Sequence, residues 1–488
     1  MYVADSRSSK APAAPGPAPA PGPAPAPGPA AAPGLPGRRG AAWRAVPGTV
    51  LALGAVSLVT DVSSEMVSAV LPLYLLTGLG LSPLGFGLLD GIQNGFSALV
   101  RLAGGHLADR RGRDGAARHK AVAAVGYGLS ALCKPLLLLA HTVPLIGAVI
   151  AVDRTGKGLR TAPRDAMISL ATEPAHRGRA FGVHRAMDTA GALLGPLTAF
   201  LVLRLAGGPL LADGGERHGY DAVFTVSACI AVLGVLILLL FVPGRQPADE
   251  PSAAAPSLRD SLTLLRLPGL RRLTLCAVLL GLTTVSDSFL YLLVQRRLDL
   301  PTHLFPLLPL GTAAAFLLLA VPLGALADRI GRRRLFLAGH ALLLLAYGLL
   351  LFSPVSGVPA VVCVLLLHGA FYAATDGVLA AAAADAVPAE QRGAGLALVG
   401  TGQALARFAC SLLFGALWSA VGGTAALGWS AGALALCVLG ATAVLREAGG
   451  PDEPGTAAST PTTSAPPASA PIPSETAASE TVAPEDPR

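Results

Sequence analysis

The chain has 488 residues, of which 53% are hydrophobic and only 13% charged, and its formal net charge is +7. Soluble globular domains carry about 25% charged residues, so the composition excludes that class and points to a membrane protein. The positive balance does not point to nucleic acid: aromatic residues make up 5% of the chain, and the arginines gather in short loops between apolar runs, as a topology signal does.

Residues 1–46 contain no apolar core of a secretory signal, only Pro-Ala-Gly repeats such as Pro23-Ala24-Pro25-Ala26-Pro27-Gly28. Such a stretch cannot bury a core and is expected to be a disordered tail. Twelve apolar segments follow, near 48–76, 83–107, 120–140, 143–169, 179–204, 222–242, 271–295, 304–327, 334–353, 357–385, 392–420 and 424–446. Each has the roughly 20 residues needed to cross the hydrocarbon of a bilayer as a helix. A polar stretch, 244–270, with Pro247, Pro251 and Pro256, divides them six and six. The expectation is therefore an all-α membrane protein of twelve transmembrane helices, in two six-helix bundles at 47–243 and 271–446. Residues 447–488, rich in Ser, Thr, Pro and Ala, form a second disordered tail. The six cysteines all lie in apolar segments without a C-x-x-C pair, so neither a disulfide framework nor a metal site is expected.

Lys and Arg concentrate in alternate loops. Arg110, Arg111, Arg113, Arg118 and Lys120 follow the second segment, and Arg329, Arg332, Arg333 and Arg334 follow the eighth. Arg177 and Arg179 follow the fourth, whereas the intervening loops hold little beyond Arg204, Arg217, Arg296 and Arg297. This bias places both termini and the central linker in the cytoplasm, with the protein in the cytoplasmic membrane.

Two of these loops repeat one another. Gly105-His106-Leu107-Ala108-Asp109-Arg110-Arg111-Gly112-Arg113 is echoed by Gly324-Ala325-Leu326-Ala327-Asp328-Arg329-Ile330-Gly331-Arg332. A short, charged, Gly-rich turn repeated at the same place in two halves marks an internal duplication. These paired loops and the tandem six-helix halves resemble the major facilitator superfamily, over residues 47–446. The resemblance implies two bundles around a central cavity, working as a secondary transporter by alternating access. It also implies a conformational latch. In that scheme Asp109 acts on a helix of the other half, and Arg113 pairs with Asp165 at the end of the fourth helix. Asp328, Arg332 and Asp385 form the same trio in the second half, and Asp165 and Asp385 keep the motif's spacing to within one residue. Both ion pairs are expected in an outward-open state.

Charges inside the segments are the candidates for chemistry, because each costs several kcal/mol at mid-membrane depth unless it is paired or wet. In the fourth segment Arg154, Lys157, Arg160 and Arg164 fall on one helical face, with Arg164 near enough to the cytoplasmic end to snorkel. On the first helix Asp61 and Glu65 share a face, and Ser286-Asp287 in the seventh echoes Thr60-Asp61. Asp61, Glu65 and Asp287 are the candidates for proton coupling, with Arg154 expected as the partner of Asp61. Arg154, Lys157, Arg101, Asp188, Asp376 and Arg407 are the candidates for the substrate cavity. Arg185 and Asp188, three residues apart, are expected to neutralise one another, and His368 is expected to be a packing residue. In the fifth segment Gly191, Gly195 and Pro196 partly resemble the superfamily's antiporter motif.

There is no nucleotide-binding P-loop and no hydrolase signature, so neither an enzyme nor a cofactor is expected. The reading is a monomeric transporter with a small-molecule substrate, protons and the lipid bilayer as partners and no nucleic acid. It exports small organic compounds by proton antiport; the alternative is proton-coupled uptake of an organic anion. A membrane receptor or scaffold is the rival of a different class, and its intramembrane charges would tolerate neutral replacement.

Overall fold

The computed structural model describes residues 46–108, 115–206, 215–243, 263–352, 357–388 and 391–446. The two tails, most of the central linker, and the latch residues Asp109 and Arg113 lie outside them. Among the described residues thirteen α-helices make twelve spans: α1 (Gly48–Leu73), α2 (Pro83–Ala108), α3 (Gly115–Leu139), α4 (Val143–Leu170), α5 (Arg177–Ala206), α6 (Gly215–Phe241), α7 (Pro268–Thr283), α8 (Asp287–Leu298), α9 (Leu307–Ile330), α10 (Arg332–Phe352), α11 (Val358–Asp385), α12 (Arg392–Val421) and α13 (Gly423–Arg446). Ten spans are long and apolar enough to cross a membrane by length and composition. α4 is not among them, because its interior carries Asp153, Arg154, Lys157 and Arg160. Large apolar side chains such as Val321, Phe352, Leu139 and Leu240 are exposed on the outside, as lipid-facing residues are.

The first six spans pack α1 on α5 and α6, α2 on α4, and α3 on α4 and α6. The second six repeat each pairing, with α7 on α12 and α13, α9 on α11, and α10 on α11 and α13. The duplication seen in the loops is thus a duplication of packing. Two six-helix bundles follow from it, joined mainly by α2 against α12 and, less extensively, by α5 against α9.

The seventh span is two helices where the sequence suggested one. Thr283-Thr284-Val285 is a β-branched run, a poor helix former, and Ser286-Asp287 is a helix-start pair. Thr284 and Ser286 are extended, and neighbouring helices satisfy the freed backbone. The Val285 N–H donates to the Tyr347 hydroxyl at 3.0 Å, and the Cys410 thiol donates to the Thr284 carbonyl at 3.1 Å. Irregular backbone at membrane depth is tolerated in just this setting, buried in protein or beside a cavity. The linker also ends earlier than expected: residues 264–266 form a 3₁₀ turn whose Leu264 is buried in the core.

The bundles meet closely near the loops opposite the termini, the distal end. Gly87, Gly91 and Gly95 line one face of α2 at four-residue intervals, the small-residue pattern that lets membrane helices approach. A Cβ on Gly91 would be 3.1 Å from the Phe408 ring, and one on Gly95 would be 2.8 Å from the Phe408 Cβ. Beyond them Phe86 packs edge-to-face on Phe289 at 4.8 Å, and Phe289 on Phe414 at 4.8 Å. Phe200 on α5 also meets His303 before α9, at 6.2 Å. All of these contacts seal the distal end.

Candidate functional site

Between the bundles lies a cavity of about 150 Å³ whose wall includes Glu65 and Ser68 of α1, Gln93 and Asn94 of α2, Asp287 and Tyr372 of the second bundle, and Arg407 of α12. The break in the seventh span opens onto it, so Asp287 stands at the cavity wall in the first turn of α8.

Behind the wall of the first bundle runs the basic face of α4, and each cation on it has a carboxylate. Arg160 donates to Asp61 at 3.0 Å, and its guanidinium stacks over Tyr127 at 4.4 Å. Lys157 reaches Glu65 at 3.5 Å. Arg154 pairs with its neighbour Asp153 at 3.0 Å, and Lys134 of α3 meets the same carboxylate at 2.9 Å. Arg164 donates to Asp165 at 3.0 Å and lies 3.7 Å from Asp188. This overturns the expected Asp61–Arg154 pair. Arg154 sits nearly two turns from Arg160 toward the distal end, where Asp153, shared with Lys134, pairs with it, and the i+3 spacing from Lys157 delivers Arg160 to Asp61 instead.

Asp61 and Arg160 are both buried, at 8% and 3% exposure, so neither can be answered by bulk water. The carboxyls of Asp61 and Asp188 are within hydrogen-bond reach of one another, and Arg164 lies beside them. Two carboxylates cannot hydrogen-bond without a proton, so this pair is a natural place to hold one. Arg160 Nη1 is buried without a partner among the described residues, leaving the guanidinium a free donor.

Several other expectations change. Arg185 is exposed, and Asp188 faces Arg164 and Asp61 from α5 instead of neutralising Arg185. Arg164 does not snorkel; only 12% of its side chain is exposed, held by Asp165, Asp188 and a 3.4 Å contact to Ser57. His368 is not a packing residue alone, since its Nε2 is 3.3 Å from Asp287. Tyr372 donates to the same carboxylate at 2.6 Å. At the end of the bundles opposite the distal seal, Arg332 donates to Asp385 and lies 3.9 Å from Asp328. The pair therefore exists while the distal end is closed. Asp165, the first-half counterpart of Asp385, is already engaged by Arg164. The side chain of Arg101 lies outside the described residues.

One interaction was missed altogether. Asp90 of α2, 4% exposed, accepts a hydrogen bond from the Ser411 hydroxyl of α12 at 2.6 Å and is within reach of the Ser286 and Ser288 hydroxyls. A buried carboxyl tied across the bundles by hydroxyls alone is a clasp on the distal seal. Its signal was present in the glycine stripe that brings α2 onto α12.

The family model for the Major Facilitator Superfamily matches residues 53–318 and 299–478. The chain belongs to the Major Facilitator Superfamily. An uncharacterized MFS-type transporter of Methanocaldococcus jannaschii is 29% identical over 385 residues, covering 77% of this chain and 89% of that protein. An uncharacterized protein of Mycobacterium tuberculosis is 28% identical over 390 residues, covering 79% and 89%. Among solved structures, the nucleoside transporter NupG superposes with a TM-score of 0.66 at 13% identity, covering 82% of this chain and 99% of that one. A POT family transporter in complex with 5-aminolevulinic acid gives 0.65 at 15%, covering 82% and 96%. At such identities the solved structures establish the fold alone. Family and architecture make this member of the superfamily a multi-pass secondary transporter of small molecules, not an enzyme.

Proposed function

We propose that the protein couples the movement of a small polar solute through the central cavity to the movement of protons. The observation that carries this reading is the buried Asp61–Arg160 pair with Asp188 beside it, one helical turn from the cavity residue Glu65. When a proton leaves or joins the two carboxyls, the charge facing Arg160 changes by one unit in a site where water cannot compensate. Arg160, with one nitrogen already free, then has reason to move, and α4 carries that movement to Lys157 and Glu65 at the cavity wall. Glu65 and Asp287 are secondary proton sites in this reading.

The Lys/Arg bias supports cytoplasmic termini, and in that orientation the seal at the distal end closes the outward side. The Asp328–Arg332–Asp385 trio is the latch of the second half, biasing the conformational equilibrium from the cytoplasmic rim. Export by antiport draws on the Gly191–Pro196 stretch, but those small residues have a packing role: a Cβ on Gly195 would be 2.6 Å from the Glu65 Cβ of α1. Uptake of an organic anion with protons is favoured instead by Arg407 in the cavity wall.

The test is the Asp61→Asn variant reconstituted in proteoliposomes. Loss of gradient-driven accumulation with retained substrate exchange supports the reading. Wild-type accumulation would move the coupling site to Glu65 or Asp287. Unchanged accumulation on neutral replacement of all three would remove proton coupling through these carboxylates.

A further inference from the structure

We infer that the cavity binds a small organic carboxylate, and that Arg407 is the residue that takes its carboxylate group. The inference rests on the reading of this cavity as the transport site and names its substrate class.

The charges on the cavity wall are not equivalent. Glu65 has Lys157 at 3.5 Å. Asp287 has the Tyr372 hydroxyl at 2.6 Å and His368 at 3.3 Å. Arg407, on α12, is exposed and lines the cavity. Asp287 and Asp376 are the carboxylates whose charges it feels, yet neither forms an ion pair with it, and no hydrogen bond from its guanidinium is made among the described residues. Its fork of donors is therefore unpaired at the cavity wall, while the Asp287 carboxylate there is already engaged by Tyr372 and His368. A guanidinium at this depth is costly unless water or a ligand answers it. Its planar fork matches a carboxylate in bidentate fashion.

The adjoining wall, on the helix packed against α12, suits the rest of such a ligand. Gln93 and Asn94 project carboxamides from α2, in the other bundle. The Asn94 Nδ2 donates to the Asp90 carbonyl at 3.0 Å, which fixes that amide while leaving a second N–H and the Oδ1 for solute. A carboxylate on Arg407 with a polar group on Asn94 would bridge the two bundles. That is what a solute must do to favour one arrangement of them over another. The volume of about 150 Å³ is below the 300–1,000 Å³ typical of pockets for drug-sized ligands, which limits the solute to metabolite size.

The full-length protein, purified in detergent, is titrated with succinate, lactate, their amides succinamide and lactamide, and inorganic phosphate, with thermal stabilisation as the readout. At least one acid is expected to stabilise at a concentration tenfold or more below that of its amide. Arg407→Gln should abolish that preference, and Arg407→Lys, which keeps the charge but not the fork, should retain only part of it. Acids and amides acting alike, no stabilisation by either acid, or stabilisation by phosphate alone would overturn the inference. So would an Arg407→Gln protein that keeps the acid preference. Should Arg407→Gln fail to fold, the acid-to-amide ratio of the wild type and the response of Arg407→Lys still decide. Proton movement is read separately in vesicles. An acid preference without proton movement would leave this inference standing and remove the coupling, and proton-coupled movement of a neutral solute alone would do the reverse.

Discussion

Arg160 of α4 and Asp61 of α1 lie 3.0 Å apart, buried, with Tyr127 beneath the guanidinium. Removing one partner of a buried pair leaves the other uncompensated, at a typical cost of about 3–5 kcal/mol, whereas removing both is far milder. Arg160→Gln should therefore lower the thermal unfolding temperature markedly, and Asp61→Asn combined with Arg160→Gln should recover most of the loss. The double-mutant cycle in detergent measures the coupling directly. Additive losses would mean that the two residues do not depend on one another.

Asp90 supplies the second prediction. It is tied across the bundles by hydroxyls, so Asp90→Asn keeps hydrogen-bonding groups in place while Asp90→Ala removes them. Spin labels at His141, in the loop before α4, and at Val358, at the distal start of α11, should report a longer distance distribution for Asp90→Ala and little change for Asp90→Asn. Identical distributions for wild type and Asp90→Ala would show that the clasp does not hold the seal.

Gly95→Val tests the same seal by bulk. A Cβ there would be 2.8 Å from the Phe408 Cβ, so α2 and α12 must separate or Phe408 must leave. The labels at His141 and Val358 should again move apart, and Phe408→Ala should restore the wild-type distance by making room. A Gly95→Val protein with an unchanged distance would place the controlling contacts elsewhere, at the aromatic cluster.

At the other end, Arg332 is 37% exposed and Asp385 is 63% exposed on their side chains, so solvent screens the pair. Exposed pairs are worth about 0–1 kcal/mol, and Arg332→Gln should barely change the unfolding temperature. Its effect should appear in the proportions of distal-open and distal-closed molecules reported by the same labels. A large loss of stability without any change in those proportions would contradict a latch.

How far the sequence carries the structure depends on what each signal measures. Apolar length and the paired Gly-Asp-Arg loops report burial in lipid and internal duplication, and both bundles follow from them. The stripe on α4 is a matter of helical period, and it is one face in the structure. Its partners are not, because the rotation of α1 against α4 decides whether Asp61 meets Arg154 or Arg160, and no local pattern records that angle. His368 looked like a lone buried group for the same reason: Asp287, its partner, comes from a different helix. The break before Asp287 was legible in Thr283-Thr284-Val285-Ser286, and the α2–α12 contact was legible in Gly87, Gly91 and Gly95. Apolar length outweighed the first, and the second names no partner.

The central claim is that Asp61 and Asp188, held against Arg160, move protons together with solute. The most direct measurement is the internal pH of proteoliposomes during a substrate pulse, followed with an entrapped dye in wild type and Asp61→Asn. Coupling predicts a substrate-dependent pH change in wild type, acidification of the lumen if proton and solute enter together, and no change in Asp61→Asn even though labelled substrate still exchanges. A wild-type protein that accumulates substrate with no proton movement, or an Asp61→Asn protein that moves protons at the wild-type rate, would contradict it.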